Sequence, residues 1–118
     1  MTTIKEPLIS NIIEGIKNLK GNEIVTLDLR KIDQTITDYF VICEGDSMVH
    51  VNSISESIKR EVKSNIGEDP LHVDGKLNRQ WIILDYSNVV VHVFLKEWRS
   101  FYKLEELWGD AVFNKIED

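Results

Sequence analysis

The stretch Gln80–Phe94 constrains the fold more than any other part of this chain. β-Branched and aromatic residues fill both of its halves, which meet at the pair Ser87-Asn88. This pattern predicts two strands joined by a two-residue turn with a positive φ, a conformation that Asn tolerates better than most residues. A turn of this length pairs Tyr86 with Val89, so the chain is expected to contain an antiparallel β-hairpin in a defined register.

The two faces of this hairpin are predicted to differ, because side chains alternate across a strand. One face is almost purely aliphatic and is expected in the core. The other mixes large aromatics with a carboxylate and an imidazole, a composition typical of protein–protein contact surfaces. The core face would hold Ile82, Leu84, Tyr86, Val89, Val91 and Val93, and the mixed face Trp81, Ile83, Asp85, Val90, His92 and Phe94. Trp81 is the candidate for a central contact residue, since tryptophan is enriched among interface hot spots.

The remaining segments predict helices packed on a mixed sheet. Apolar residues at helical spacing predict helices over Glu6–Lys20, Met48–Lys63 and from Lys96 to about Gly109, after which a short tail is expected. Further strands are expected near a sheet edge at Glu23–Leu29, centrally at Tyr39–Cys43, and at Leu71–Asp74. The long second helix permits a parallel crossover between the strands that flank it. The expected fold is a single α/β domain of mixed α+β type, with about five strands flanked by helices.

Charge and composition narrow the classes of partner. The formal net charge is −6, and between Lys31 and Ile58 a single lysine stands against five acidic residues. Contacts to phosphate need cationic side chains, so no nucleic-acid surface is expected there, whereas an acidic domain is suited to a basic protein. No apolar run reaches transmembrane length, and no signal or transit peptide is recognised. The lone Cys43 lies in an apolar run and is expected to be buried, in a reducing compartment.

The titratable residues form no recognised catalytic or metal-binding motif. The three histidines lack the spacing of metal ligands. His92 beside Asp85 on the mixed face is either a hydrogen-bonded interface pair or a His–Asp couple, for which no nucleophile motif is present. Glu44 and Asp46 have a spacing that can hold Mg²⁺. The simpler interpretation is that Asp46 or Ser47 caps the second helix and that Glu44 favours its positive N-terminal end.

Three separate motifs carry a resemblance to one family. The first is Trp81–Phe94, and the second is Arg99–Ala111, which reads RSFYKLEELWGDA. The third is Asp38–Ser47, an aspartate and an apolar strand followed by glycine and serine before a helix. Together, and in the order in which they occur along the chain, these motifs resemble the ribosomal silencing factor family, also called the RsfS or Iojap family, over nearly the whole chain. Ser87-Asn88 stands where that family usually has Gly-Asp.

The resemblance implies a fold distantly similar to nucleotidyltransferases but without their catalytic residues, and with no cofactor or metal. It implies a translational repressor of the bacterial cytoplasm that binds the large ribosomal subunit when nutrients are scarce. The contact would be made with the universal large-subunit protein conventionally numbered fourteen, and it would sterically block joining of the small subunit. A homodimer of the free protein is implied as well. The residues that match the family's contact motif are Trp81, Asp85, Tyr86, Val90 and His92, of which Tyr86 is expected to support the others from the core.

The alternative is a residual metal-dependent nucleotide-binding or nucleotidyltransferase-like protein that uses Glu44 and Asp46. Nucleotidyl transfer needs carboxylates that hold two metal ions near the triphosphate, in an Asp-x-Asp arrangement downstream of the Gly-Ser motif. This chain contains no Asp-x-Asp, and Glu44 and Asp46 precede the helix instead. The order of the residues therefore favours a binding protein over an enzyme.

Overall fold

A computed structural model of the protein describes residues 7–32, 37–102 and 112–116. Within these residues the chain forms three helices and six strands. In chain order they are α1 (Pro7–Asn18), β1 (Asn22–Asp28), β2 (Tyr39–Gly45), α2 (Met48–Ile66), β3 (His72–Asp74), β4 (Trp81–Asp85), β5 (Val89–Leu95), α3 (Lys96–Tyr102) and β6 (Val112–Lys115). Across these ranges no helix combines the length and the apolar character needed to cross a membrane.

The strands form one mixed sheet in the order β3-β4-β5-β2-β1-β6. β2 and β5 are parallel, and every other neighbouring pair is antiparallel. β3 therefore runs in the same direction as β2, as the long helix between them permits, but β4 and β5 lie between the two strands. The prediction of a mixed sheet flanked by helices is confirmed, with six strands in place of about five.

The additional strand, β6, lies where the sequence predicted a short tail. It pairs antiparallel with β1, with Asp28 opposite Val112 and Val25 opposite Lys115. β1 is consequently second from the edge of the sheet. All four side chains of β6 are exposed, so no alternation of apolar and polar residues marks this strand in the sequence. The predicted helix end at Gly109 lies outside the described residues.

The hairpin of β4 and β5 has the predicted register. Trp81 lies opposite Phe94, and the register continues without a break to the pair Asp85 and Val90. The N–H of Tyr86 donates to the carbonyl of the residue at the start of β5 over 2.9 Å. The length of the turn was therefore sufficient to place every side chain of the pair on its correct face.

The turn itself differs from the prediction, because the positive φ falls on Ser87 (80°) and not on Asn88. The N–H of Asn88 donates to the carbonyl of Tyr86 over 3.1 Å, which closes a tight three-residue turn centred on Ser87. The carboxylate of Asp85 accepts the N–H of Ser87 over 2.8 Å. This side-chain contact holds the strained residue in place, an arrangement that Asp makes readily two residues along the backbone.

The aliphatic face of the hairpin is buried, as predicted, beneath α1 and α2. All six of its residues belong to the larger of two hydrophobic clusters, together with Cys43. The two helices approach closely, because the Oγ of Ser57 donates to the carbonyl of Gly15 over 2.8 Å. Added to Gly15, a Cβ would lie 2.7 Å from the Cα of Ile58. Ser47, rather than Asp46, caps α2, and its Oγ accepts the N–H of the helix residue three positions on.

The opposite face of the sheet is also partly covered. A smaller cluster there consists of five buried residues with four partly buried ones packed against it, including Trp98 of α3. The buried members are Val25, Leu27, Leu29, Ile42 and Phe94, and the partly buried members are Ile32, Phe40, Trp81 and Trp98. Solvent therefore reaches the mixed face of the hairpin only at its half-buried residues, three of which lie on β4 and one on β5.

Candidate partner-binding surface

Trp81 begins β4 at the rim of the smaller cluster and remains partly exposed. Its ring stacks on Phe94, with centroids 4.9 Å apart and planes 25° apart. Its indole N–H donates to Nδ1 of His92 over 3.0 Å. A tryptophan side chain has only two rotatable bonds, so a stack on the ring face and a hydrogen bond at its edge together define the orientation. Trp81 thus presents part of a firmly packed aromatic ring to solvent, and tryptophan is enriched among interface hot spots.

His92 was expected among the contact residues, but the structure places it beneath Trp81. Its side chain is only 5% exposed, and the ring of Phe40 packs against it edge-on at 4.6 Å. Burial lowers the pKa of His92 to about 4, so the imidazole is neutral near pH 7. His92 therefore has almost no surface of its own to offer a partner, and the structure gives it a supporting place.

The other half-buried side chains of the hairpin, Ile83, Asp85 and Val90, share the face on which Trp81 lies. Asp85 lies opposite Val90, whereas His92 lies opposite Ile83. The suggested His–Asp couple is not formed in this arrangement. The carboxylate of Asp85 accepts the N–H of Ser87, and Nδ1 of His92 accepts the indole N–H. The arrangement offers a contact surface and no general base next to a nucleophile.

Tyr86 lies on the core face, as expected for a supporting residue. It is 5% exposed, and burial raises the pKa of its hydroxyl to about 12. Its hydroxyl oxygen has no hydrogen-bond partner among the described residues. Tyr86 therefore contributes packing beneath the hairpin, and a direct contact with a partner is not expected from it.

The two carboxylates considered for Mg²⁺ are held by other side chains of the chain. An Nη1 of Arg99 donates to Glu44 over 3.4 Å, and Asn22 donates to Asp46 over 3.3 Å. Burial raises the pKa of Glu44 above its ordinary value, and the positive charge of Arg99 opposes this effect. Over the described ranges, no group of three or more His, Cys, Asp or Glu side chains is arranged to hold a metal ion.

The acidic stretch from Lys31 to Ile58 is also less open than its charge suggested. Glu56 on α2 forms ion pairs with Lys76, at 2.5 Å, and with Lys59, at 3.5 Å. Glu44 pairs with Arg99 on α3. The described acidic residues therefore do not form one uninterrupted face.

Phe40 and Trp98 surround the site but were not predicted as part of it. Phe40 comes from β2, where it is paired with Val90 across the parallel strands, and Trp98 comes from α3. Neighbours across a parallel pair cannot be inferred from the register of a hairpin. The available signal was the aromatic residue at position 40, which follows Tyr39 at the start of a short apolar run.

Comparison with known proteins agrees with this architecture. The family model described as ribosomal silencing factor during starvation matches residues 2–118. The ribosomal silencing factor RsfS of Halalkalibacterium halodurans is 33% identical over 112 residues, covering 95% of this chain and 94% of that protein. A Mus musculus protein named mitochondrial assembly of ribosomal large subunit protein 1 is 35% identical over 80 residues, covering 66% of this chain and 35% of that protein. A crystal structure of a Chromobacterium violaceum protein superimposes with a TM-score of 0.81 at 30% identity, over 86% of this chain and 83% of that one.

The family match spans nearly all of the residues, and the solved structure shares the mixed sheet and its flanking helices. Both findings confirm the resemblance carried by the three sequence motifs. The family is one of regulatory proteins that act on ribosomes. This chain belongs to the RsfS family of ribosomal silencing factors.

Proposed function

We propose that this protein binds the large ribosomal subunit through the mixed face of its hairpin and thereby blocks joining of the small subunit. The component contacted is the universal large-subunit protein conventionally numbered fourteen, with Trp81 at the centre of the contact. The protein acts in the bacterial cytoplasm and lowers translation when nutrients are scarce. The mechanism is steric occlusion, which needs affinity and bulk but no catalytic residue.

The observation that carries this proposal is the partly exposed, fixed ring of Trp81. The ring is already held by Phe94 and His92, so binding would cost little additional side-chain entropy. Ile83 and Val90 add half-buried apolar surface on the same face, and Asp85 adds a carboxylate. A rigid aromatic with apolar neighbours is typical of the centre of a protein–protein interface, and a carboxylate such as that of Asp85 is typical of its rim.

Family membership and charge favour a basic ribosomal protein on the large subunit as the partner. The mouse relative is named for assembly of the large ribosomal subunit, which points to that subunit for this chain as well. The net charge of −6 favours approach to a basic protein surface and disfavours direct binding to the rRNA phosphates. Because this attraction is screened by salt, association should slow as the ionic strength rises.

The test is sedimentation of purified ribosomal subunits through a sucrose gradient with and without the protein. We expect the protein to migrate with the large subunit and whole ribosomes to be depleted. Trp81→Ala should weaken binding to the isolated large-subunit protein by roughly 2 kcal/mol, about thirtyfold, as for a central hot spot. Whole ribosomes that assemble undisturbed in saturating protein would refute the proposal.

A matched control is Phe113→Ala, which also removes an exposed aromatic ring from the sheet. Phe113 is 52% exposed on β6, at the edge of the sheet opposite β3 and β4. We expect this variant to bind as the wild type does. Thermal unfolding of both variants must show that they are folded at the assay temperature, since Trp81 also packs on Phe94.

We further propose that the free protein forms a homodimer through the same surface, because a partly apolar face without its partner gains from being covered. Sedimentation equilibrium of the wild type and of Trp81→Ala measures this. A dimer of unchanged strength in the variant would place the contact elsewhere.

A further inference from the structure

The indole of Trp81 and the buried imidazole of His92 form a hydrogen bond that can have only one direction, from the indole to the imidazole. Indole carries a hydrogen-bond donor and no acceptor, so the nitrogen that receives its proton must itself be unprotonated. That nitrogen is Nδ1 of His92, and the neutral ring then carries its proton on Nε2. The pair therefore exists only while the imidazole is neutral.

The surroundings of His92 keep it neutral and in place. Phe40 packs against its edge, and Phe94 lies parallel to it at 6.3 Å with 13° between the planes. Ile42 and Ile83 lie opposite it on the two neighbouring strands. None of these neighbours is charged, and burial in this environment lowers the pKa of His92 to about 4.

His92 carries a cost that an apolar residue would avoid. Its Nε2 is buried and has no hydrogen-bond partner among the residues that the structure describes. A buried donor without a partner destabilises a fold, and phenylalanine would fill a similar volume without one. The one contact that an apolar residue could not replace is the acceptor for the Trp81 indole.

We propose that His92 is a positioning residue of the docking surface, which holds the Trp81 ring in its binding orientation and does not touch the partner. This inference rests on the proposed docking through Trp81. Because the indole N–H is already used inside the protein and one face of the ring is stacked on Phe94, the partner meets the other face and the carbon edge of the ring. The chemistry that fits this surface is an aliphatic or aromatic side chain, or a cationic one lying over the ring, rather than a hydrogen-bond acceptor.

Two substitutions separate positioning from packing. His92→Phe fills the space but removes the acceptor, whereas His92→Asn leaves a small cavity but places an amide oxygen near the position of Nδ1. If His92 acted only by filling space, His92→Phe would bind the large subunit more tightly than His92→Asn. The proposal requires the reverse order. We expect His92→Phe to bind about three- to tenfold more weakly than the wild type, the loss from immobilising one freed side chain, and His92→Asn to recover most of that loss.

A second measurement needs no ribosome. In a proton–nitrogen correlation spectrum, the indole signal of Trp81, assigned with Trp81→Phe, should exchange faster with water in His92→Phe than in the wild type or in His92→Asn. An unchanged indole signal in His92→Phe would overturn the inference. So would wild-type affinity of His92→Phe alongside weakened binding of Trp81→Ala, an outcome that leaves the proposed function intact. Unchanged affinity of Trp81→Ala would overturn both proposals, whatever the indole signal shows.

Discussion

Lowering the pH from about 8 to about 5 should destabilise this protein through the imidazole of His92. The pKa of His92 is about 4 in the folded protein, against 6.5 for an ordinary histidine. Between these two pH values His92 is protonated in the unfolded chain but neutral in the folded protein. The contribution of the neutral imidazole to the free energy of unfolding is therefore fully present above pH 6.5 and is lost as the pH falls towards 4. The complete effect is about 3 kcal/mol, of which about 2 kcal/mol is lost by about pH 5. That is a substantial part of the ~5–15 kcal/mol that stabilises a typical domain.

Urea unfolding of the wild type and of His92→Phe at both pH values measures this effect. The comparison is needed because carboxylates also respond to acid. The pKa values of Asp28 and Glu56 are lowered by hydrogen bonds from Arg30 and Lys76, so these groups lose stabilisation as they are protonated. These carboxylates lose the same stabilisation in the wild type and in the variant, whereas only the wild type also loses the contribution of His92. The wild type should therefore lose about 2 kcal/mol more than His92→Phe on this acidification.

Direct titration of the wild type removes any dependence on the variant. The carbon-bound protons of the His92 ring should keep the chemical shift of a neutral imidazole down to about pH 5. Titration of this ring near 6.5 in the folded protein would show that the site is hydrated, and the reasoning from burial would then be refuted.

Three substitutions test other parts of the structure. Gly15→Ala should lower the free energy of unfolding by about 1–2 kcal/mol in urea titrations, because the new Cβ meets the backbone of Ile58; wild-type stability would contradict the close helix contact. Ser47→Ala should cost about 1 kcal/mol in the same assay, since it leaves the N–H of His50 uncapped, and Ser47→Asn should restore it. Tyr86→Phe should leave stability unchanged or raise it, because the buried hydroxyl lacks a described partner. A loss above about 1 kcal/mol would show that this hydroxyl is bonded.

The parts of the fold that follow from local pattern were predicted from the sequence. Alternation and the length of the turn were enough to place Trp81 opposite Phe94 and to separate the two faces of the hairpin. Helical spacing located α1 and α2 to within a few residues at each end. These features depend on residues close together in the chain, which is why composition and spacing determine them.

The depth of His92 and the existence of β6 could not be predicted in this way. His92 is buried because Phe40 and Phe94 pack around it, and the position of Phe40 depends on a parallel pairing with a strand far away in the sequence. β6 has no apolar periodicity, and in the structure it is paired with the edge of β1. Long-range pairing of this kind leaves no local trace in either segment.

The dependence of β1 on β6 makes a short exposed segment a guard against aggregation. Ile24, Val25, Thr26 and Leu27 are all buried in the complete sheet, so β1 is apolar on both of its faces. Without residues 112–116, β1 would be an apolar edge strand with unpaired backbone N–H and C=O groups. In a molecule that has lost these residues, β1 would be free to pair with the same strand of a second such molecule. Proteolytic loss of a few surface residues is therefore expected to favour aggregation of the remaining domain.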